Sequence, residues 1–202
     1  HSNIWSLITD QKQDSLYVVE EKKLTNGTHD IKALEISPNG EQIAYVIITG
    51  SRSNIYTIPI TGGESKQITY LKSYCTNLAW SLDGNKIVFG VIEDGNNHLK
   101  IVDLKTGAIK HLEGVSPSIS FSLSWYPNDK IIYQMRGNRN FYVLDPINGN
   151  KTELITVDSV GWMFSPITSP DLNKIAVVWN RQPQTGLYSI LTKDTRNDSN
   201  AI

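Results

Sequence analysis

Apolar and polar positions alternate in short runs along most of the chain, and the runs recur. The segments ISPNGEQIAYV, WSLDGNKIVFG, WYPNDKIIYQM and SPDLNKIAVVW align on Ile43, Ile87, Ile131 and Ile175, each 44 residues after the last. A second frame nearly holds the same period: Leu24, Ile68, Leu112 and Leu154, at spacings of 44, 44 and 42, close the segments KKLT, KQIT, KHLE and TELI. Each unit has one internal order. A short apolar strand ends in a Ser/Pro/Asn/Asp/Gly turn, and a strand rich in β-branched and aromatic residues follows. A polar hairpin leads to a third strand, and a glycine turn leads to a short fourth. Turn residues of this kind supply the backbone geometry that tight β connections need. No helical period persists over a useful length.

A four-stranded antiparallel unit of about 44 residues, repeated, predicts an all-β chain of β-propeller blades. One twisted sheet cannot bury both faces alone, whereas stacked sheets can. The order of segments predicts a single propeller domain over 1–192, followed by a polar tail over 193–202. Within it lie a partial blade over 1–28, complete blades over 29–71, 72–115 and 116–156, and a partial blade over 157–192. IWSLITD, SLYVVE and EKKLT read as second, third and fourth strands without a first, and the last unit lacks a fourth. The chain is therefore expected to be a ring of about five blades or part of a larger one. Trp80, Trp125 and Trp162 stand at or near the ends of first strands, where packing between blades is the simplest reading.

The phrases ISPNGEQIAY, GNKIVF and SPDLNKIAVVW, with IYTIPITGGESKQIT, resemble the WD40-like (PD40) repeats of the TolB type. The resemblance covers nearly the whole chain. It departs in loops: Leu82 replaces a proline, the WYPND turn is one residue shorter, and the last turn reads SPITSPDLN. The resemblance implies an extracytoplasmic setting, in the periplasm or at the cell surface, and a protein partner.

Composition adds few constraints. The net charge of −1 gives no electrostatic case for nucleic acid or an anionic membrane. No run approaches the ~18 apolar residues of a membrane span. The chain opens His1-Ser2-Asn3 without a methionine, so a missing signal peptide leaves the compartment open. Cys75, the only cysteine, excludes an intrachain disulfide and reads as a small buried hydrophobe.

The sequence carries no familiar catalytic pattern. Gly114-Val115-Ser116-Pro117-Ser118 lacks the last glycine of a nucleophile elbow. His1, His29, His98 and His111 show no metal-ligand spacing, and no phosphate loop occurs, so neither metal nor cofactor is expected. Glu93-Asp94-Gly95-Asn96-Asn97 reads as a polar hairpin rather than a calcium loop. The expectation is a non-catalytic binding module that presents the channel-mouth rim to a protein or cell-envelope ligand. The alternative is a propeller fragment of a larger enzyme, such as a peptidase of the prolyl-oligopeptidase type. The loops leading into the first strands supply the candidate binding residues His29, Asp30, Lys72, Tyr74, Ser118 and Asp158. Tyr74 is their aromatic anchor.

Overall fold

The computed structural model describes residues 1–12, 15–115, 117, 123–135, 140–155, 162–169, 171, 173–182 and 187–194. Among them there is no helix; the ordered elements are strands. Contacts divide the chain into two compact units, His1–Cys75 and Thr76–Ile202.

The first unit holds a two-stranded sheet, β1 (Trp5–Lys12) with β2 (Ser15–Lys23), and a four-stranded one. The latter runs β3 (Asp30–Ile36), β4 (Gln42–Thr49), β5 (Arg52–Pro59), β6 (Lys66–Gln67), each strand beside the next. The same order returns in β7 (Tyr74–Trp80), β8 (Lys86–Glu93), β9 (Asn96–Asp103) and β10 (Ile109–Leu112). It returns again in β11 (Ser124–Tyr126), β12 (Lys130–Gln134), β13 (Phe141–Leu144) and β14 (Lys151–Ile155). A three-stranded sheet closes the series: β15 (Trp162–Thr168), β16 (Lys174–Gln182) and β17 (Leu187–Asp194). These are the meander blades that the 44-residue period predicts.

The period survives as equivalent packing. Ile43, Ile87, Ile131 and Ile175 are all buried in second strands. The SPNG-type turns repeat one hydrogen-bond device. Ser81 Oγ donates to Asp83 Oδ1 at 2.6 Å and accepts from Lys86 N at 2.8 Å, while Asn85 N donates to Asp83 Oδ1 at 3.0 Å. Ser37 with Asn39, and Ser169 with Asp171, build the same loop. A serine hydroxyl and an Asx side chain thus hold backbone groups that the ladder leaves unpaired. WYPND lacks the serine and turns instead with Asn128 and Asp129 at φ 61° and 56°. The Glu93–Asn96 hairpin turns through Asp94 and Gly95, both at positive φ, the two-residue connection favoured by strand twist.

Sheets of the second unit stack face to face. Ala79, Val88, Leu99 and Leu112 of one blade pack with Leu123, Trp125, Ile131, Tyr133 and Leu144 of the next. Trp125 Nε1 donates to the Ala79 carbonyl at 3.0 Å, so this tryptophan is an inter-blade packing residue. Trp80 is buried too; the side chain of Trp162 lies outside the described residues.

Two sequence expectations need correction. IWSLITD–SLYVVE–EKKLT makes two strands, not three. No Gly turn separates SLYVVE from EKK, so β2 runs on to Lys23 and pairs with β1 on both sides of a bulge at Val19. The final strand extends to Asp194, past the boundary at 192, because Asp194 still pairs with Lys174.

Candidate functional site

Four of the six candidate residues fall in the first unit. His29, Asp30 and Lys72 are exposed and Tyr74 is half-buried. Ser118 and Asp158 lie outside the described residues. The Asp30 carboxylate sits 3.1 Å from the N-terminal ammonium, an exposed pair whose net worth is small.

Strand β3 decides which of these side chains meet. Asp30 pairs with Ile48 and Lys32 with Val46, so both face one side of the sheet. Ala33, at φ 51°, is an extra residue in the strand. The bulge turns Leu34 and Ile36, paired with Tyr45 and Ile43, to the other face. On the Lys32 side, Tyr74 enters from the start of β7. The Lys32 ammonium lies 5.4 Å from the centroid of the Tyr74 ring, within cation–π range. Lys32 thus lies over the Tyr74 ring, with Asp30 further along the same face of β3. Sequence reasoning missed Lys32, because the contact joins residues with no local signal between them.

The start of β7 is fixed from beneath. Ser53 Oγ accepts from Cys75 N at 2.6 Å and donates to the Cys75 carbonyl at 3.1 Å, while Ser53 N donates to Ser73 O at 3.1 Å. Cys75 is fully buried, and burial pushes its thiol up to about 12, so at neutral pH it is a packed hydrophobe and no nucleophile.

His29 departs from the other candidates. It lines an open groove of about 280 Å³ on the opposite face of the sheet, with Ile31, Ile47, Tyr45 and Tyr56. Tyr45 and Tyr56 stack at 6.0 Å, and Tyr45 Oη lies 2.6 Å from Ser65 Oγ. Burial raises both phenols, so each stays a neutral donor and acceptor. The exposed Tyr70 is close enough to Tyr56 to raise it further.

In the second unit, the rings of His98 and His111 lie 4.9 Å apart, with His111 Nε2 at 4.0 Å from Glu113. Among the described residues no group of three or more His, Cys, Asp or Glu side chains is arranged to hold a metal ion. Among the described residues no helix is long and apolar enough to cross a membrane.

The repeated meander, the Ser–Asx turns and the Ile anchors converge with a family model, the TolB beta propeller domain (PD40), which matches residues 17–201. The chain belongs to this family. Among curated proteins, a TolB homolog from Chlorobium luteolum is 28% identical over 162 residues, 78% of this chain and 36% of that protein. The Tol-Pal system protein TolB of Wigglesworthia glossinidia brevipalpis is 32% identical over 74 residues, 35% of this chain and 17% of that protein. The chain thus spans about a third or less of the length of these relatives. The crystal structure of TolB from Acinetobacter baumannii superposes with a TM-score of 0.73 at 22% identity, covering 89% of this chain and 45% of that one. Enzymes share the fold as well: a prolyl endopeptidase structure gives a TM-score of 0.61 at 13% identity, covering 83% of this chain and 28% of that one. The propeller repeat is common to all of these, so function has to be argued from residues.

Proposed function

We propose that this TolB-type propeller segment is a non-catalytic protein-binding module that works outside the cytoplasm. Its docking surface in this reading is built on Tyr74, Lys32, Asp30 and Lys72, all in the first unit. The observation that carries the reading is the Lys32–Tyr74 stack. A tyrosine on a strand held by Ser53, with Lys32 over its ring and Asp30 further along β3, has the composition of an interface anchor with a polar rim. Family membership supports it, since a relative bears the name of a Tol-Pal system protein. The partner class in this reading is a protein component of such a system, met in the periplasm or at the cell surface.

Photo-crosslinking tests the proposal. A photoreactive residue at Lys72, beside the stack, is expected to capture a Tol-Pal system component in cells, whereas the same residue at Ile147, on an exposed loop of the second unit, captures little. Capture at Ile147 with none at Lys72 would remove this surface from the proposal. Peptidase or lyase activity in the purified chain, abolished by a point substitution, would favour the enzyme-fragment reading instead.

A further inference from the structure

The apolar seam between two neighbouring blades of the second unit ends in polar groups. Asn97 and Leu99 stand two apart in β9 and so share a face of the sheet. Leu99 packs with Ile131 and Tyr133 of β12, which puts Asn97 and Tyr133 on facing sides of the two sheets. Both are buried, Asn97 at 4% and Tyr133 at 1% exposure. Asn97 Nδ2 donates to the Pro117 carbonyl at 2.9 Å, a bond that uses one end of the amide and leaves Oδ1 as an acceptor. Neither Asn97 Oδ1 nor the Tyr133 hydroxyl has a hydrogen-bond partner among the described residues. Buried polar groups are as a rule hydrogen-bonded, because leaving them unpaired costs their full desolvation.

Both side chains line one cavity of about 10 Å³, room for roughly one water molecule. Gly90, inside β8, forms part of its wall. A Cβ there would run into Thr76 Oγ1 and come within 2.7 Å of Asn77 Oδ1, so the glycine is what lets the Thr76 hydroxyl border the space. Thr76 Oγ1 donates to Asn77 Oδ1 at 2.9 Å and keeps lone pairs for a further donor. Burial, with a smaller push from Tyr142, raises the Tyr133 phenol to about 12, so at neutral pH it keeps its proton and can donate. Among the described residues no carboxylate lines the cavity, so nothing there offsets the charge of a cation.

We infer that this cavity is a binding site for one structural water molecule, which accepts from the Tyr133 hydroxyl and donates to Asn97 Oδ1 and Thr76 Oγ1. Three hydrogen bonds are the usual complement of a buried water. Asn97 and Thr76 belong to the β7–β10 blade and Tyr133 to the β11–β14 blade. The water is therefore a polar tie between two blades whose contact is otherwise apolar. It satisfies two buried groups that the protein itself leaves unpaired, and it makes the Tyr133 hydroxyl a stabilising group instead of a destabilising one.

Tyr133→Phe tests it through the sign of its effect, since the substitution removes the hydroxyl and keeps the ring. With the water bound, the variant loses a hydrogen bond, and its Tm is expected to fall by about 2–4 °C. Oxygen-17 magnetic relaxation dispersion, which counts long-lived buried waters, should find one fewer in the variant than in the wild type. A hydroxyl with no partner is better absent, so a Tm that stays level or rises would overturn the inference. So would an unchanged count of buried waters. A high-resolution crystal structure of the unaltered chain reads the same site without any substitution. Density for a water within hydrogen-bond reach of Tyr133 Oη and Asn97 Oδ1 is expected, and a metal ion or a protein group in that place would overturn the inference.

Discussion

Replacing each anchor isoleucine by valine asks whether the four repeats are equivalent in energy as well as in register. Ile43, Ile87, Ile131 and Ile175 are between 0% and 4% exposed, so each substitution removes one methylene from a closed contact. Transfer of that group is worth about 0.8 kcal/mol. The unfilled space adds a cavity term, and buried Ile→Val changes typically cost about 0.5–1.5 kcal/mol. For a chain of this size that is roughly 1–6 °C in Tm. Urea and thermal unfolding of the four single variants measure it, with transitions followed by two probes because two units need not melt together. Ile147→Val, on an 86%-exposed side chain, is the control and should change stability by less than about 0.5 kcal/mol. One anchor variant as silent as the control, or a control as costly as the anchors, would refute the equivalence.

Ser81→Ala should cost about 1–3 kcal/mol in denaturant unfolding, because it strands the half-buried Lys86 N–H and removes a donor from Asp83. Asp83 and Asp171 are held near 2, chiefly by the Ser81 and Ser169 hydroxyls, against an ordinary 3.8. Folded values below unfolded ones mean that their stabilisation is complete above about pH 4 and lost as pH falls through about 2. In Tm–pH profiles the Asp83→Asn, Asp171→Asn pair should flatten that limb. Gly90→Ala should destabilise by about 1–3 kcal/mol, since its Cβ would press on Thr76 Oγ1 and Asn77 Oδ1. A Gly90→Ala protein melting with the wild type would show that this contact relaxes freely.

The parts of the fold that were legible in the sequence are those set by local chemistry. The SPNG, SLDG and SPDLN turns announce their Ser–Asx hydrogen bonds, and a fixed offset from each turn places the isoleucines in the second strands. The first blade is less legible because its strand count depends on a turn. SLYVVEEKK carries none, and pairing with β1 then decides the length of β2. The candidate surface was legible only in outline. Tyr74 could be found as the aromatic residue of a leading loop, but its partner Lys32 comes from a different sheet. His29 and Asp30 are neighbours in sequence, yet His29 lines the groove on one face and Asp30 lies on the other. The exposure of Leu34 and Ile36 is invisible to pattern reading, because it depends on the cover provided by the neighbouring sheet.

The protein-binding proposal is tested most directly by calorimetric titration of purified Tol-Pal system components against the chain and its Tyr74→Ala variant. Truncating an interface aromatic typically costs roughly 1–3 kcal/mol, about 5- to 150-fold in Kd. The account predicts saturable binding to one component, weakened by that factor in a variant whose unfolding curve stays close to that of the wild type. Unchanged affinity in Tyr74→Ala, or no binding to any component, would contradict it.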